Sequence, residues 1–274
     1  MNGRAGANEA RAVGALARAD GWGTMANRWA AVANEFAKMR HLRMGVVASV
    51  MVIIVVGLSV GSAATSPAFA EAAGRSWEAL LAGMSLAVPL ASPLLLAVMA
   101  SRQVDIEHQG NGWLLSQTSG LTPGGLCRIK LLAVGIVVAA ATVLESVLLL
   151  GAGLLLGVPD PVPAGLWAGY TASVSVANLV VLALHILLSA RIDNQLVGLG
   201  IGVLGTIVAV FATALPPAAA HVTPWGYYAL AAAAGYEGER LVAMTPAYGS
   251  IAALGVVAAA FFLFITGRSG WKEG

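Results

Sequence analysis

The sequence predicts an all-α membrane protein of six transmembrane helices, preceded by an amphipathic elbow helix at the membrane interface, with both termini in the cytosol. Composition gives the first sign: 58% of the 274 residues are hydrophobic and 10% are charged, against about half and about a quarter in soluble proteins. The second is that the apolar residues come in blocks of the roughly 20 residues that a helix needs to cross about 30 Å of hydrocarbon. The third is the placement of Lys and Arg, which gather in alternate connections.

The chain divides in order. Residues 1–24 are rich in Ala, Gly and Arg and lack the apolar core of a cleavable signal peptide, so they read as a flexible cytosolic tail. Residues 25–43 form the expected elbow helix. Trp29, Val32, Phe36 and Met39 recur there at helical spacing, with Arg28, Glu35, Lys38 and Arg43 to the sides and opposite. The six-helix domain spans 44–267, with apolar blocks at Met44 to Ala64, Ala79 to Ser101, Leu131 to Gly157, Leu166 to Ala190, Leu196 to Leu215 and Tyr248 to Gly267. Pro89 and Pro93 lie inside the second block, where they would kink a helix. Residues 268–274 form a short cytosolic C-terminal tail.

With the N-terminus inside, every Lys and Arg except Arg75 and Arg240 falls on the cytosolic side, as the retention of positive charge requires. The net charge of +2 is therefore topological, and no basic cluster interleaved with aromatics suggests a nucleic-acid partner. Two connections are long. The cytosolic one runs over 102–130; the external one, 216–247, carries Trp225, Tyr227, Tyr228 and Tyr236, which favour short helices tucked partly into the outer leaflet.

Catalytic chemistry finds little support. Cys127 is the single cysteine, which rules out an intramolecular disulfide and zinc-finger-like thiol sites. The four histidines, at 41, 108, 185 and 221, form no His-Glu-x-x-His grouping, and no serine sits in a Gly-x-Ser-x-Gly elbow. No Gly-x-x-x-x-Gly-Lys-Ser/Thr loop occurs to cradle phosphates. The chain is read as a non-enzyme with no cofactor of its own.

The cytosolic connection carries the most specific pattern. It begins Glu107-His-Gln-Gly-Asn-Gly-Trp113-Leu-Leu-Ser-Gln-Thr-Ser-Gly and ends at Lys130. This pattern, with the six spans and the elbow, resembles the type-2 ABC exporter permeases, in which a Glu closes the second span, a Gly-containing step and a short helix follow, and a Lys opens the third. The Gly110-Asn111 and Trp113 step is similar to the permeases of lantibiotic and bacteriocin immunity transporters. The resemblance implies an ATPase-coupling element made by Glu107, Trp113, Leu114, Leu115 and Lys130, with a peg over Asn111 to Ser119. Trp113, Leu114 and Leu115 offer that peg an apolar surface, while Thr122 and Pro123 suit the cap and first turn of the next helix.

The resemblance further implies a cytosolic ABC ATPase that holds the ATP and Mg, and a second permease subunit, identical or paralogous. It also implies residence in the lipid bilayer of a bacterial plasma membrane, and export of a hydrophobic or amphipathic substrate such as an antimicrobial peptide or drug. A merely solvated loop is the plainer account of 102–130.

Three polar residues inside the spans are candidate pathway residues. Glu145 lies near the middle of the third span, where a carboxylate marks a pathway, a partner or a proton site, or else is neutral and hydrogen-bonded to another helix. Asn178 and His185, seven residues apart in the fourth span, share a helical face from which either can bond across helices. Glycines at 151, 153, 157, 198, 200, 202 and 205 permit close packing or bending. Two other classes remain open: an ion-coupled secondary transporter, which Glu145 and the proline pair favour, and a non-transporting sensor or assembly subunit.

Overall fold

The structure, a computed structural model, describes residues 29–66, 69, 71, 74–118, 120–238 and 240–268, without the side chains of 217 and 237. The expected N-terminal tail, residues 25–28 of the elbow, Ser119 of the peg and most of the C-terminal tail lie outside the described residues.

Helix α1 covers residues 29–41. It meets α2 (Met44–Thr65) through Arg43, whose φ of 51° is left-handed and lets the chain turn sharply between the two. Helix α3 (Trp77–Gln109) starts on Ser76, whose hydroxyl accepts the Ala79 N–H. It continues unbroken through Pro89 and Pro93. At 33 residues it is about 50 Å long, well beyond the hydrocarbon thickness. A seven-residue helix, α4 (Gly112–Thr118), follows. Helix α5 (Pro123–Leu155) then starts on Thr122, whose Oγ1 accepts the Gly125 N–H at 3.0 Å, with Pro123 in its first turn.

The 102–130 connection is thus mostly helix: the short helix expected within it is present, and the helices on either side extend beyond the apolar blocks. α3 runs eight residues past Ser101, and α5 begins eight residues before Leu131.

Helices α6 (Ala164–Arg191) and α7 (Gln195–Phe211) complete the middle of the bundle; the Asn194 side chain caps α7 by accepting the Leu196 N–H. The chain then passes through a 3-10 turn (Ala212–Ala214), α8 (Pro217–Ala220), a second 3-10 turn (Pro224–Gly226) and α9 (Tyr227–Leu230). An antiparallel hairpin follows, β1 (Ala234–Glu237) with β2 (Arg240–Ala243), in the register Ala234 with Ala243 and Glu237 with Arg240. Gly238 supplies the positive φ its turn requires. The hairpin is an element added to the short helices expected in this connection. Helix α10 (Tyr248–Gly267) has the bounds of the sixth apolar block.

Six helices, α2, α3, α5, α6, α7 and α10, are long and apolar enough to cross a membrane. α3 is their hub: it packs on α2, α5, α6, α7 and β1, and 61% of its most apolar stretch is buried against 17% for α10 at the rim. Exposed large side chains such as Ile53, Val147, Leu204, Val256 and Phe261 form the outer surface. In water these would be buried; in lipid they are the expected face. The glycine runs divide by neighbour. A Cβ at Gly202 or Gly205 would collide with Ala97 or Trp225, so those two pack, whereas Gly151 and Gly200 face open space.

Candidate functional site

Where α3 ends and α5 begins, two lysines and two glutamates leave water together. Lys130 is fully buried and spends all three ammonium protons: on Glu35 Oε2 at 2.7 Å, Glu107 Oε1 at 2.7 Å and the Gln103 carbonyl oxygen at 2.8 Å. Lys38 donates to Glu35 Oε1 at 2.7 Å and to Glu107 Oε1 at 2.6 Å. Gln103 donates its amide N–H to Glu35 Oε2 at 2.7 Å. The charges cancel and each of the four ions is paired at hydrogen-bond distance, the main condition for burying ions, while Gln103 Oε1 has no partner among the described residues. Burial alone would lower the Lys38 pKa; its hydrogen bonds to Glu107 and Glu35, with their charges, outweigh that and hold it above the ordinary lysine value.

The cluster joins α1, α3 and α5 into one unit, and α4 hangs from it. Gly110 ends α3, Asn111 takes a left-handed φ of 50°, a conformation that Asn tolerates better than most residues, and Gly112 begins α4. A Cβ at Gly112 would overlap Glu107 Oε2. The Trp113 ring then meets the His108 ring edge-on, with centroids 5.7 Å apart. His108 in turn ties to the far end of α6: its Nε2 faces the Ser189 carbonyl oxygen at 2.9 Å, and its Nδ1 meets the Asp193 carboxylate at 2.7 Å. Leu114 and Leu115 turn outward, 62% and 65% exposed. Beside them lies a groove of about 1100 Å³ lined by Trp29 and Val32 of α1, by Ser116 and Leu121, and by Ile129 and Leu132 of α5.

The same end of the bundle receives the end of α10. Arg128 donates to Thr266 Oγ1 at 2.8 Å and to the Leu263 carbonyl oxygen at 2.9 Å, satisfying a last-turn acceptor of that helix. At the opposite end, Trp77 Nε1 donates to the Asp160 carbonyl oxygen at 2.8 Å and Arg75 to the Leu156 carbonyl oxygen at 2.6 Å. Residues 29 and 268 both lie at the Lys130 end.

Of the five residues singled out for coupling, Glu107 and Lys130 are therefore buried and ion-paired, Trp113 is half-buried, and only Leu114 and Leu115 are exposed. The sequence reading missed Glu35, which it placed on the polar flank of α1 and which is buried, and with it Lys38 and Gln103. The available signal was Lys130 itself, an ammonium at the head of an apolar helix with more hydrogen-bonding capacity than one carboxylate can use.

The second group lies deeper. Glu145, Asn178 and His185 are all fully buried. Asn178 donates to Thr142 Oγ1 at 3.0 Å across α5 and α6, and its Oδ1 accepts the Tyr228 hydroxyl at 2.7 Å. His185 stands against the Trp225 ring at 6.2 Å between centroids, with neither ring nitrogen hydrogen-bonded among the described residues. The 212–247 connection thus reaches into the bundle with Trp225 and Tyr228. Asn178 and His185 share a face without bonding to one another, and Glu145 bonds to neither among the described residues.

Six helices long and apolar enough to cross a membrane, with a short helix held at one end beside buried ion pairs, define a multi-pass membrane protein. The family model for the ABC-2 family transporter protein matches residues 31–209, and the chain belongs to that family, the transmembrane permease subunits of ABC transporters. Membership implies an ABC ATPase as partner. The matched region begins in α1 and ends in α7, so it contains the whole ion cluster and α4. No curated protein matches the chain.

Proposed function

We propose that this chain is the permease half of an ATP-driven exporter and that α4 is the element through which the ATPase drives it. The observation that carries this reading is the contrast along α4: two adjacent leucines stand in the open on a helix too short to be stable alone, held in place by buried charges on one side and Trp113 on the other. Exposed apolar side chains on a rigid support are what a partner's pocket selects. The groove between α1 and α5 extends that surface.

Two such subunits, identical or paralogous, form the pathway, and the Lys130 end faces the cytosol in accord with the lysine and arginine distribution. α1 lies along the inner interface as an elbow. ATP-driven closure of the ATPase pair pulls on α4, and the ion cluster passes the displacement to α1, α3 and α5 as one body, switching access between two states. The substrate is hydrophobic or amphipathic; the similarity of the Gly110-to-Trp113 step to immunity-transporter permeases supports an antimicrobial peptide or drug, exported from a bacterial plasma membrane.

The test is purification of the tagged full chain in mild detergent, identification of what accompanies it, and transport in reconstituted vesicles. A stoichiometric ABC ATPase and ATP-dependent export are expected. Transport driven by an ion gradient without ATP would replace this reading with that of a secondary transporter.

A further inference from the structure

Helix α1 is seated on the bundle over only part of its length. Glu35 and Met39 are buried and Phe36 packs against the core, whereas Trp29, nearly two turns earlier, stands exposed. Beside this first part lies the groove of about 1100 Å³ between α1 and α5, as large as the largest ordinary ligand pockets, which span roughly 300–1000 Å³. At Ser116 and Leu121 it adjoins α4. From Thr122 it follows α5 to Leu132, a rise of about 15 Å. Leu132 belongs to the apolar block that opens at Leu131, so the groove runs from the aqueous end of the bundle into the level of the hydrocarbon.

Arg128 lines the groove between those two levels. The side chain is fixed in place: its Nε donates to Thr266 Oγ1 at 2.8 Å and its Nη2 to the Leu263 carbonyl oxygen at 2.9 Å. Gly124, one turn earlier, permits that approach of α10, because a Cβ there would collide with the Thr266 carbonyl oxygen. A guanidinium has more N–H donors than these two bonds use, and no carboxylate pairs with Arg128 among the described residues. The one carboxylate lining the groove, Glu35, is buried and held by Lys38 and Lys130. Lys38, the other cation there, is committed to Glu35 and Glu107. Arg128 is thus the positive charge the groove offers to a ligand.

A fixed guanidinium at the border of an apolar block, with an apolar channel leading from it toward the hydrocarbon, matches the two-part chemistry of a phospholipid. The phosphodiester suits the forked donors of arginine, and an acyl chain suits the channel. Water is the poorer occupant, because along Val32, Ile129 and Leu132 it would meet apolar side chains in place of the polar partners that a held water needs. A soluble protein partner can cover the α4 end but cannot follow the groove into the apolar block.

We infer that this groove binds one anionic phospholipid, with its phosphate on Arg128 and an acyl chain laid along Ile129 and Leu132 against Val32 and Trp29. The lipid fastens the first part of α1 to α5, as the ion cluster fastens the rest. The inference requires that the chain sit in a membrane; it does not depend on an ATPase partner.

The full chain, purified in mild detergent and washed free of lipid, is titrated with dioleoylphosphatidylglycerol or with the zwitterionic dioleoylphosphatidylcholine, and bound lipid is counted by native mass spectrometry. About one phosphatidylglycerol per chain is expected, held at least about tenfold more tightly than phosphatidylcholine, whose choline offsets the attraction of its phosphate to Arg128. Arg128→Gln should erase that preference and Arg128→Lys should keep part of it. Arg268→Gln, which removes the same charge outside the groove lining, should leave it unchanged. Because Arg128 also holds α10, a further variant keeps it: Ala31→Trp fills the groove and should weaken binding of both lipids. Glycerol 3-phosphate, a headgroup without chains, should displace neither. Equal affinity for the two lipids, a preference that survives Arg128→Gln or falls as far in Arg268→Gln, undiminished binding by Ala31→Trp, or displacement by glycerol 3-phosphate would each overturn the proposal.

Discussion

The Glu107 carboxylate occupies the space that a side chain at Gly112 would need, so the buried ion cluster and the first residue of α4 fit together as one piece. Gly112→Ala must push that carboxylate away from Lys38 and Lys130. We expect it to lower the thermal stability of the purified chain and to weaken ATPase association, whereas Gly57→Ala on α2, where a Cβ meets nothing within 4 Å, should be neutral or slightly stabilising. Equal melting temperatures for the two variants would contradict this fit.

Removing one member of a fully buried pair leaves the others uncompensated. Lys130→Met should destabilise the chain by about 3–5 kcal/mol. Adding Glu107→Gln leaves Glu35 with Lys38, one charge of each sign, so the double variant should recover part of the loss. Thermal denaturation of all four forms of the cycle measures the coupling; additive losses would show that the two residues do not act together.

Lys38 gives the cluster a definite response to alkali. Its pKa in the folded chain lies above the 10.5 of the free side chain, so its contribution is complete below that value and is lost as pH rises through the folded pKa. The stability difference between wild type and Lys38→Met should therefore be constant from about pH 7 to about pH 9 and shrink only at stronger alkali. A difference that already falls between those values, followed by denaturant unfolding, would mean that Lys38 is not held charged by Glu107 and Glu35.

Sidedness can be read by cysteine labelling, because Cys127 is buried. A membrane-impermeant maleimide should reach Leu115→Cys only after the cells are opened, and Tyr236→Cys in intact cells. The reverse pattern would invert the topology and place α4 out of reach of any cytosolic ATPase.

The spans were legible because an apolar run of about 20 residues is a strong signal in any register; Tyr248–Gly267 coincides with its block. The lengths of α3 and α5 were not. The resemblance put Glu107 and Lys130 at helix ends, but that they and Gln103 satisfy one another and Glu35 is a pairing between residues up to 95 positions apart that periodicity cannot reveal. The hairpin at Ala234–Ala243 escaped for a different reason. Its strands are four residues each and rich in Ala and Gly, and only Gly238 marks the turn. At the coupling element the pattern Gly-Asn-Gly-Trp was visible as a pattern; its physical content, a left-handed Asn111, a Gly112 seated on Glu107 and a Trp113 on His108, needed the fold. Asn178 and His185 were readable as cross-helix groups, but their partners Tyr228 and Trp225 come from a connection whose path into the bundle the sequence does not encode locally.

The measurement that bears most directly on the account is ATPase association by the full chain carrying Leu114→Asp and Leu115→Asp. Both side chains are exposed and outside the ion cluster, so the variant should stay monodisperse in detergent and melt like the wild type, while the amount of ATPase recovered with it falls at least about tenfold, as loss of two anchoring apolar side chains requires. Recovery of the ATPase at the wild-type ratio on a normally folded variant would show that α4 is not the point of coupling.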